Sequence, residues 1–395
     1  MIKGFVINYV KNILEFFALY LSMLFPRDRR TIIFGAWWGN KYDDNSKYLF
    51  EYVVKNRPDL NAVWLSDNDN VVKEIIKKGY PAYHSKSLKA ILLALRARYS
   101  IIVTSWYGGD YGFIVNWFLG GAVFIDLWHG VPLKKIMYDD EFSLDYLDSF
   151  SMKMDRILKG YPRKRHYHFA TSEAIVNTYI SCFRSDREHV LNLGQARNDY
   201  FYNEHINPLR ERYKGRKIIV YMPTHRKEGK NKIEVWKLLD LKKINQLCYE
   251  KSCLFVIKKH YYHRLETEPL KDLAYVVDLT NSTYSSQEML DAADILITDY
   301  SSCYIDHLLL NKPQIFYGYD LDDYLANDRG MYENFVENAP GPICTNKNEL
   351  MSAMENFLEG NDAYKTIREK KRDYYYSPCN QCAVAENQLN AIMDL

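Results

Sequence analysis

From residue 31 onward the chain alternates short apolar runs with amphipathic segments at helical spacing. TIIFGA (31–36), AVWLS (62–66), SIIVTS (100–105) and AVFIDLWHG (122–130) are strand-like, with helical patterns at 46–56, 70–78 and 86–98 between them. A second series follows residue 216: KIIVYMPTHR (217–226), CLFVIKKH (253–260), AYVVDLT (274–280), DILITD (294–299) and PQIFYG (313–318). Helices fit at 235–250, 286–293, 301–310, 346–359 and 362–372. Runs that are apolar throughout belong to strands buried on both faces, and strands alternating with helices make βαβ units with a parallel sheet. The expected architecture is α/β with two Rossmann-like domains, 31–205 and 206–375, and a C-terminal helix in 376–395. The linker is sought in 196–216, around Pro208.

Three stretches depart from this rhythm. Residues 2–25 are rich in Phe, Ile, Leu and Tyr, are interrupted by Lys3, Lys11 and Glu15, and end at Pro26 before Arg27, Arg29 and Arg30. A spanning helix needs roughly 20 predominantly apolar residues. The expectation for 1–30 is therefore a helix lying in the membrane interface, its arginines beside anionic headgroups. A helix packed on the protein's own core and a single span are the alternatives. Residues 109–121 are apolar and aromatic and are expected to be a buried helix or a further membrane contact. Residues 138–168 pass from an acidic amphipathic stretch to Lys159, Arg163, Lys164, Arg165, His166 and His168. Such a run is usually a solvated face, with phosphate binding as the other reading.

Composition narrows the classes. The 395 residues are 47% hydrophobic, enough for two cores, and the net charge of +2 gives no sign of a nucleic-acid binder. Seven scattered cysteines fit reduced thiols, and Cys379 and Cys382 form a lone CxxC without a second pair. Neither series carries GxGxxG, which argues against a dinucleotide oxidoreductase.

Candidate chemistry gathers where strands end. Residues 294–313 read as a buried strand, the polar turn Asp299-Tyr300-Ser301-Ser302, and a helix stopped by Lys312-Pro313. Such a turn offers hydroxyls and backbone N–H groups to a phosphate. Other turns of this kind are Trp128-His129-Gly130 with Pro132-Leu133-Lys134, Pro223-Thr224-His225-Arg226, Lys258-Lys259-His260 and Arg329-Gly330. Together they supply imidazoles, cations and hydroxyls suited to a phosphorylated substrate and a proton transfer near neutral pH. The DxD spacing of Asp320 and Asp322 is too common by chance to assign a metal. Metal ligands are therefore set at none, and a Mg2+ requirement is not legible.

FGAWWGNKYDDNSKYLFEY (34–52), WHGVPLKKI (128–136), ATSEAIVNTYISCF (170–183), YMPTHR (221–226), KKH (258–260), the run 294–324, RGMYENF (329–335) and APGPI (339–343) occur in this order. Together they resemble the CDP-glycerol glycerophosphotransferase family of teichoic-acid and capsule polymer enzymes. Two departures are the Ala in GQARND (194–199) and an insertion in 278–290. The resemblance implies a GT-B fold, two Rossmann-like domains facing a central cleft. It implies transfer of glycerol phosphate from CDP-glycerol to a hydroxyl of an undecaprenyl-diphosphate-linked saccharide acceptor, releasing CMP. The enzyme would be peripheral (monotopic) on the cytoplasmic face of the bacterial membrane. His129 would be the catalytic base, and His260 would stabilise charge or assist the leaving group. Thr224, Arg226, Ser301, Ser302, Arg329 and Gly330 would meet the donor phosphates, Asp299 would orient the turn, and Glu288 would contact the ribose. The same fold with CDP-ribitol or a nucleotide sugar is the alternative, followed by a non-catalytic assembly factor. No Walker lysine motif is present, so ATP is not the expected donor.

Overall fold

The computed structural model describes residues 2–104, 109–112, 114–160, 164–224, 235–259, 270, 272–327 and 329–395; side chains are described from residue 12 on, those of 235 and 236 excepted. The chain forms two compact units. The first is Met1–His129, Ile136–Asp199 and Tyr376–Leu395, and the second is Gly130–Lys135 and Tyr200–Tyr375. The C-terminal helix therefore belongs to the first unit, and six residues after His129 belong to the second. Neither exchange is visible in the hydrophobic pattern.

The first unit is built on seven parallel strands: β1 (Asp28–Phe34), β2 (Asn61–Ser66), β3 (Ala82–His84), β4 (Ala97–Ile102), β5 (Val123–Asp126), β6 (His166–Ala170) and β7 (Val190–Asn192). Their order is β3-β2-β1-β4-β5-β6-β7. Alternate residues of each strand feed opposite faces. Ile32, Phe34, Val123 and Ile125 pack with Leu49, Phe50, Trp64 and, from the C-terminal helix, Ala385, Leu389 and Ile392. Ile33, Ile102 and Phe124 pack with Leu93, Tyr111, Val115 and Leu119. Tyr111, Val115 and Leu119 of this stretch are thus buried, and its described residues form the 3-10 turns Gly109–Tyr111 and Val115–Phe118 instead of a helix.

The second unit holds six parallel strands: β8 (Lys217–Met222), β9 (Cys253–Ile257), β10 (Val276–Asp278), β11 (Ile295–Thr298), β12 (Gln314–Tyr317) and β13 (Ile343–Cys344). The order is β10-β9-β8-β11-β12-β13. In both units the order reverses beside the first strand, between β1 and β4 and between β8 and β11. The carboxyl ends of strands at such a reversal border a crevice in open α/β sheets.

The N-terminal segment forms the helix Ile2–Ser22. Leu19 and Ser22 are buried, the Gly120 amide donates to Ser22 Oγ at 2.9 Å, and Glu15 meets Lys159 of the helix Phe150–Lys159 at 2.9 Å. Arg27 donates to the carbonyls of Ala94 (2.6 Å) and Ser22 (3.0 Å), and burial lowers its pKa to about 10. This segment therefore packs on its own unit, and Arg27 faces inward, not toward headgroups. Among the described residues no helix is long and apolar enough to cross a membrane. Two members of the basic run resolve differently from expectation, while Lys164 is exposed and Arg163 lies outside the described residues. Lys159 is 5% exposed and ion-paired, and His168 is 2% exposed within β6, so neither is presented to a phosphate.

Candidate functional site

His129 follows β5 by three residues. Its Nδ1 lies 2.8 Å from the Val103 carbonyl, which can only accept, so Nδ1 carries the proton. The neutral ring then holds its lone pair on Nε2, the tautomer a general base needs. The ring lies between two indoles, with centroids 5.4 Å from Trp37 and 4.4 Å from Trp128.

The turn into His129 is held from several sides. Trp128 has φ 52°, a left-handed value uncommon for a bulky residue. Its amide donates to Asp126 Oδ1 at 2.8 Å, and its carbonyl accepts from Asn45 Nδ2 at 2.8 Å. Arg197 donates to the His129 carbonyl at 3.0 Å and to Asp44 Oδ1 at 2.9 Å. The buried Asp44 carboxyl is pushed up by burial, opposed by Arg197. Val103 is fixed in turn, because its amide donates to the buried Asp110 at 2.6 Å. Gly35 makes room for that loop: a Cβ there would stand 2.4 Å from the Asp110 carbonyl oxygen. Asp44, Asn45, Asp110 and Arg197 carry no role in the sequence reading. Asp44, Asn45 and Arg197 lie inside GNKYDDNSKY and GQARND, where only the quoted motifs pointed to them.

In the second unit β8 and β11 are in register, Thr298 beside Met222, so their ends are flush. Asp299, 1% exposed, accepts the Thr224 amide at 2.8 Å and the Thr224 hydroxyl as well. Thr298 Oγ1 donates to the Met222 carbonyl at 2.7 Å. Asp299 therefore ties the two turns of the strand-order reversal together. The Ser301 and Ser302 side chains are half-buried, and Ser302 does not cap the helix that follows. The expected helix 301–310 is shorter than its pattern: Cys303–His307, then a 3-10 turn Leu308–Leu310 ended by Asn311 at φ 48°.

Gly130–Lys135 brings half of the WHGVPLKKI motif into this unit. The Lys135 amide donates to the Gly330 carbonyl at 2.7 Å, Lys134 bridges Met331, and the Tyr332 amide donates to the Leu133 carbonyl at 3.2 Å. Arg329 and Gly330 are thereby set beside Lys134 and Lys135. Lys134 Nζ stands 4.9 Å over the Tyr324 ring, which stacks on Tyr300 at 3.8 Å. The Tyr300 hydroxyl donates to Asp320 Oδ1 at 3.1 Å. Asp320 is thus engaged by the residue beside Ser301.

Other expected residues are placed differently. Glu288 Oε2 accepts the Ser285 amide at 2.6 Å in a capping box at the helix Ser286–Ala292, so half of its carboxylate is already committed. Lys258 donates to the carbonyls of Leu279 and Ser282, both at 3.2 Å, and the fully buried Lys259 side chain lies 4.0 Å from Asp278. The two lysines fasten the end of β9. Arg226 and His260 lie outside the described residues, as does His225.

Residues 17–393 match the family CDP-Glycerol:Poly(glycerophosphate) glycerophosphotransferase. The chain belongs to this family. It is 26% identical over 387 residues to the teichoic acid glycerol-phosphate transferase of Staphylococcus aureus, covering 91% of this chain and 93% of that one. It is 27% identical over 365 residues to the teichoic acid poly(glycerol phosphate) polymerase of Staphylococcus epidermidis, covering 88% of this chain but only 48% of that protein. A teichoic acid ribitol-phosphate primase of Bacillus spizizenii is also 27% identical, over 363 residues, covering 89% of each chain. The solved wall teichoic acid polymerase TagF with CDPG shares the fold, with a TM-score of 0.74 at 22% identity, covering 100% of this chain and 98% of that one. The family places the chain among glycerophosphotransferases, enzymes of teichoic acid synthesis.

Proposed function

We propose that this glycerophosphotransferase takes CDP-glycerol as donor and an undecaprenyl-diphosphate-linked saccharide as acceptor, in a GT-B arrangement. The observation that carries the reading is the His129 tautomer, with Nδ1 spent on the Val103 carbonyl and Nε2 left to accept a proton. The acceptor hydroxyl gives its proton to His129 Nε2 as its oxygen bonds to the phosphorus that bears glycerol. The bond from that phosphorus to the bridging oxygen breaks, and CMP leaves with that oxygen. Phosphoryl transfer asks for alignment and charge neutralisation more than covalent catalysis. Thr224, Arg226, Ser301, Ser302, Arg329 and Gly330 are the donor-phosphate contacts of this reading. His260 assists the leaving group, Asp299 orients, and the free oxygen of Glu288 meets the ribose.

The acceptor is lipid-linked, which asks for a monotopic seat on the cytoplasmic face of the membrane. Support comes from the helix Ile2–Ser22, which leaves Leu14, Phe17 and Leu21 exposed at helical spacing, with Leu24 79% exposed beyond its end. The helix Phe150–Lys159, joined to it through Lys159 and Glu15, exposes Phe150 and Ile157 and carries Lys153. Replacing Leu14, Phe17 and Leu21 by Ser should lower co-sedimentation with anionic vesicles; undiminished binding would remove this part of the reading.

CDP-ribitol is the second donor, favoured by the similarity to a ribitol-phosphate primase. Incubation with CDP-glycerol, CDP-ribitol or UDP-sugars, each with and without a lipid-linked disaccharide, separates the readings by nucleotide release. Acceptor-dependent CMP release from CDP-glycerol is the expected result. Release of UDP alone would overturn the reading.

A further inference from the structure

We infer that Asp126, His166 and His168 form a binding site for a borderline divalent metal ion of the Zn2+ class, inside the first unit. β5 and β6 are adjacent and parallel, with Asp126 beside His168 and Phe124 beside His166. Two-residue periodicity then puts all three side chains on one face of the sheet. One ligand atom from each, a carboxylate oxygen and two ring nitrogens, lie within 4.8 Å of one another. His168 Nδ1 is 3.6 Å from Asp126 Oδ2. Bonds of 2.0–2.2 Å in a tetrahedral shell separate neighbouring ligand atoms by about 3.4 Å, so the pair is already at metal-bridging distance.

The site also has an unmet need. Asp126 Oδ2 and His168 Nδ1 are both buried without a hydrogen-bond partner, and their side chains are fully or almost fully enclosed. A buried carboxylate oxygen and a buried ring nitrogen left in this state cost roughly 1–3 kcal/mol each. A proton shared between them is the simpler remedy, but 3.6 Å exceeds hydrogen-bond length. A cation engages all three. Phe183 stacks on the His168 ring at 4.2 Å and 3°, closing that side to water. Three protein ligands leave the fourth position to a water molecule. Two imidazoles and one carboxylate suit Zn2+ and its first-row neighbours better than Mg2+ or Ca2+. A second group among the described residues, Asp186, Glu188 and His189, has both carboxylates exposed and lacks this enclosure. The ion would hold Asp126 by Oδ2 while Oδ1 accepts the Trp128 amide, fixing the turn that carries His129.

The test uses the full-length protein purified without a histidine tag from Zn2+-supplemented medium. Mass spectrometry of the metal content should find about one equivalent of Zn2+. Pyridine-2,6-dicarboxylate should strip it and lower the melting temperature, and added Zn2+ should restore both. His166→Gln, at a half-buried position, should abolish retention while remaining folded. Asp186→Asn with Glu188→Gln should leave the stoichiometry intact. Full-length protein that keeps no Zn2+, with a melting temperature indifferent to chelator and Zn2+, would overturn the inference. So would retention unchanged in His166→Gln, or lost in the Asp186/Glu188 variant.

Discussion

Asp299 accepts both the amide and the hydroxyl of Thr224, which locks the turn after β8 to the turn after β11. Removing the carboxylate frees both turns at the strand-order reversal. Hydrogen bonds to a charged group contribute about 1.5–3 kcal/mol, so Asp299→Ala should weaken donor binding by roughly 10- to 100-fold. Thr224→Val keeps the amide bond and should lose less. Calorimetric titration with CDP-glycerol reads both; equal affinities for all three proteins would refute the coupling.

His129→Ala should lower kcat by about 10²–10⁴, the usual span for a general base, with the far-ultraviolet circular dichroism unchanged. His129→Gln keeps a donor toward Val103 but no basic nitrogen, and should be as slow. Near-normal CMP release from either variant would remove His129 from the chemistry.

Asn45 acts on His129 at one remove, through the Leu127 and Trp128 carbonyls at 3.3 and 2.8 Å. Asn45→Ala should reduce kcat about tenfold, the equivalent of one hydrogen bond in the transition state, and leave KM for the donor near its original value. A change in KM alone would mean that Asn45 serves donor binding instead.

Lys159 carries the buried Glu15 at 2.9 Å and Asp155 beside it. Lys159→Met leaves two carboxylates facing an apolar chain, and breaking such a buried pair costs about 3–5 kcal/mol. Lys159→Met with Glu15→Met should recover much of that loss. Chemical denaturation reports both; a single variant as stable as the parent would contradict the pairing.

Arg368, fully buried, donates to Asp362 through both terminal nitrogens and to Asn311 through Nε. Desolvation raises the Asp362 pKa, but the hydrogen bonds and charge of Arg368 outweigh it, and the net pKa is lowered. A depressed carboxyl pKa adds stability above its unfolded value and loses it as pH falls through the folded one. Arg368→Lys cannot reproduce the fork. It should lower the denaturation midpoint at pH 7 and flatten its fall below pH 4, whereas a parallel fall in both proteins would exclude the linkage.

The strand-helix rhythm was legible wherever a strand held three or more consecutive apolar residues, as in β1, β8, β9 and β11. β3 and β13 escaped definition because runs of three or two residues carry no period. β6 was hidden by its own composition, since HYHFA reads as part of a basic surface until its neighbours bury His168. Motif residues His129, Thr224 and Asp299 were visible because polar groups at strand ends break the apolar pattern, whereas Arg329 follows the helix Leu321–Asn327 and no strand. Asn45, Asp110 and Arg197 were not, because their task is set by loops far apart in sequence. Sequence spacing also gives no warning when a lysine turns inward, as Lys258 and Lys259 do.

The two units are interleaved in sequence. Asp199 caps the helix Val384–Asp394 through the amides of Val384 and Ala385, both at 2.8 Å, while Lys135 pairs with Gly330 in the other unit. No single cut separates them: a fragment ending at Asp199 lacks the helix that completes its core, and a fragment beginning at Tyr200 lacks the segment that braces Arg329. Recombination between relatives is constrained accordingly. A chimera must take residues 130–135 from the parent of its second half and 376–395 from the parent of its first, so the chain exchanges parts as three segments of one half and two of the other, never as two simple halves.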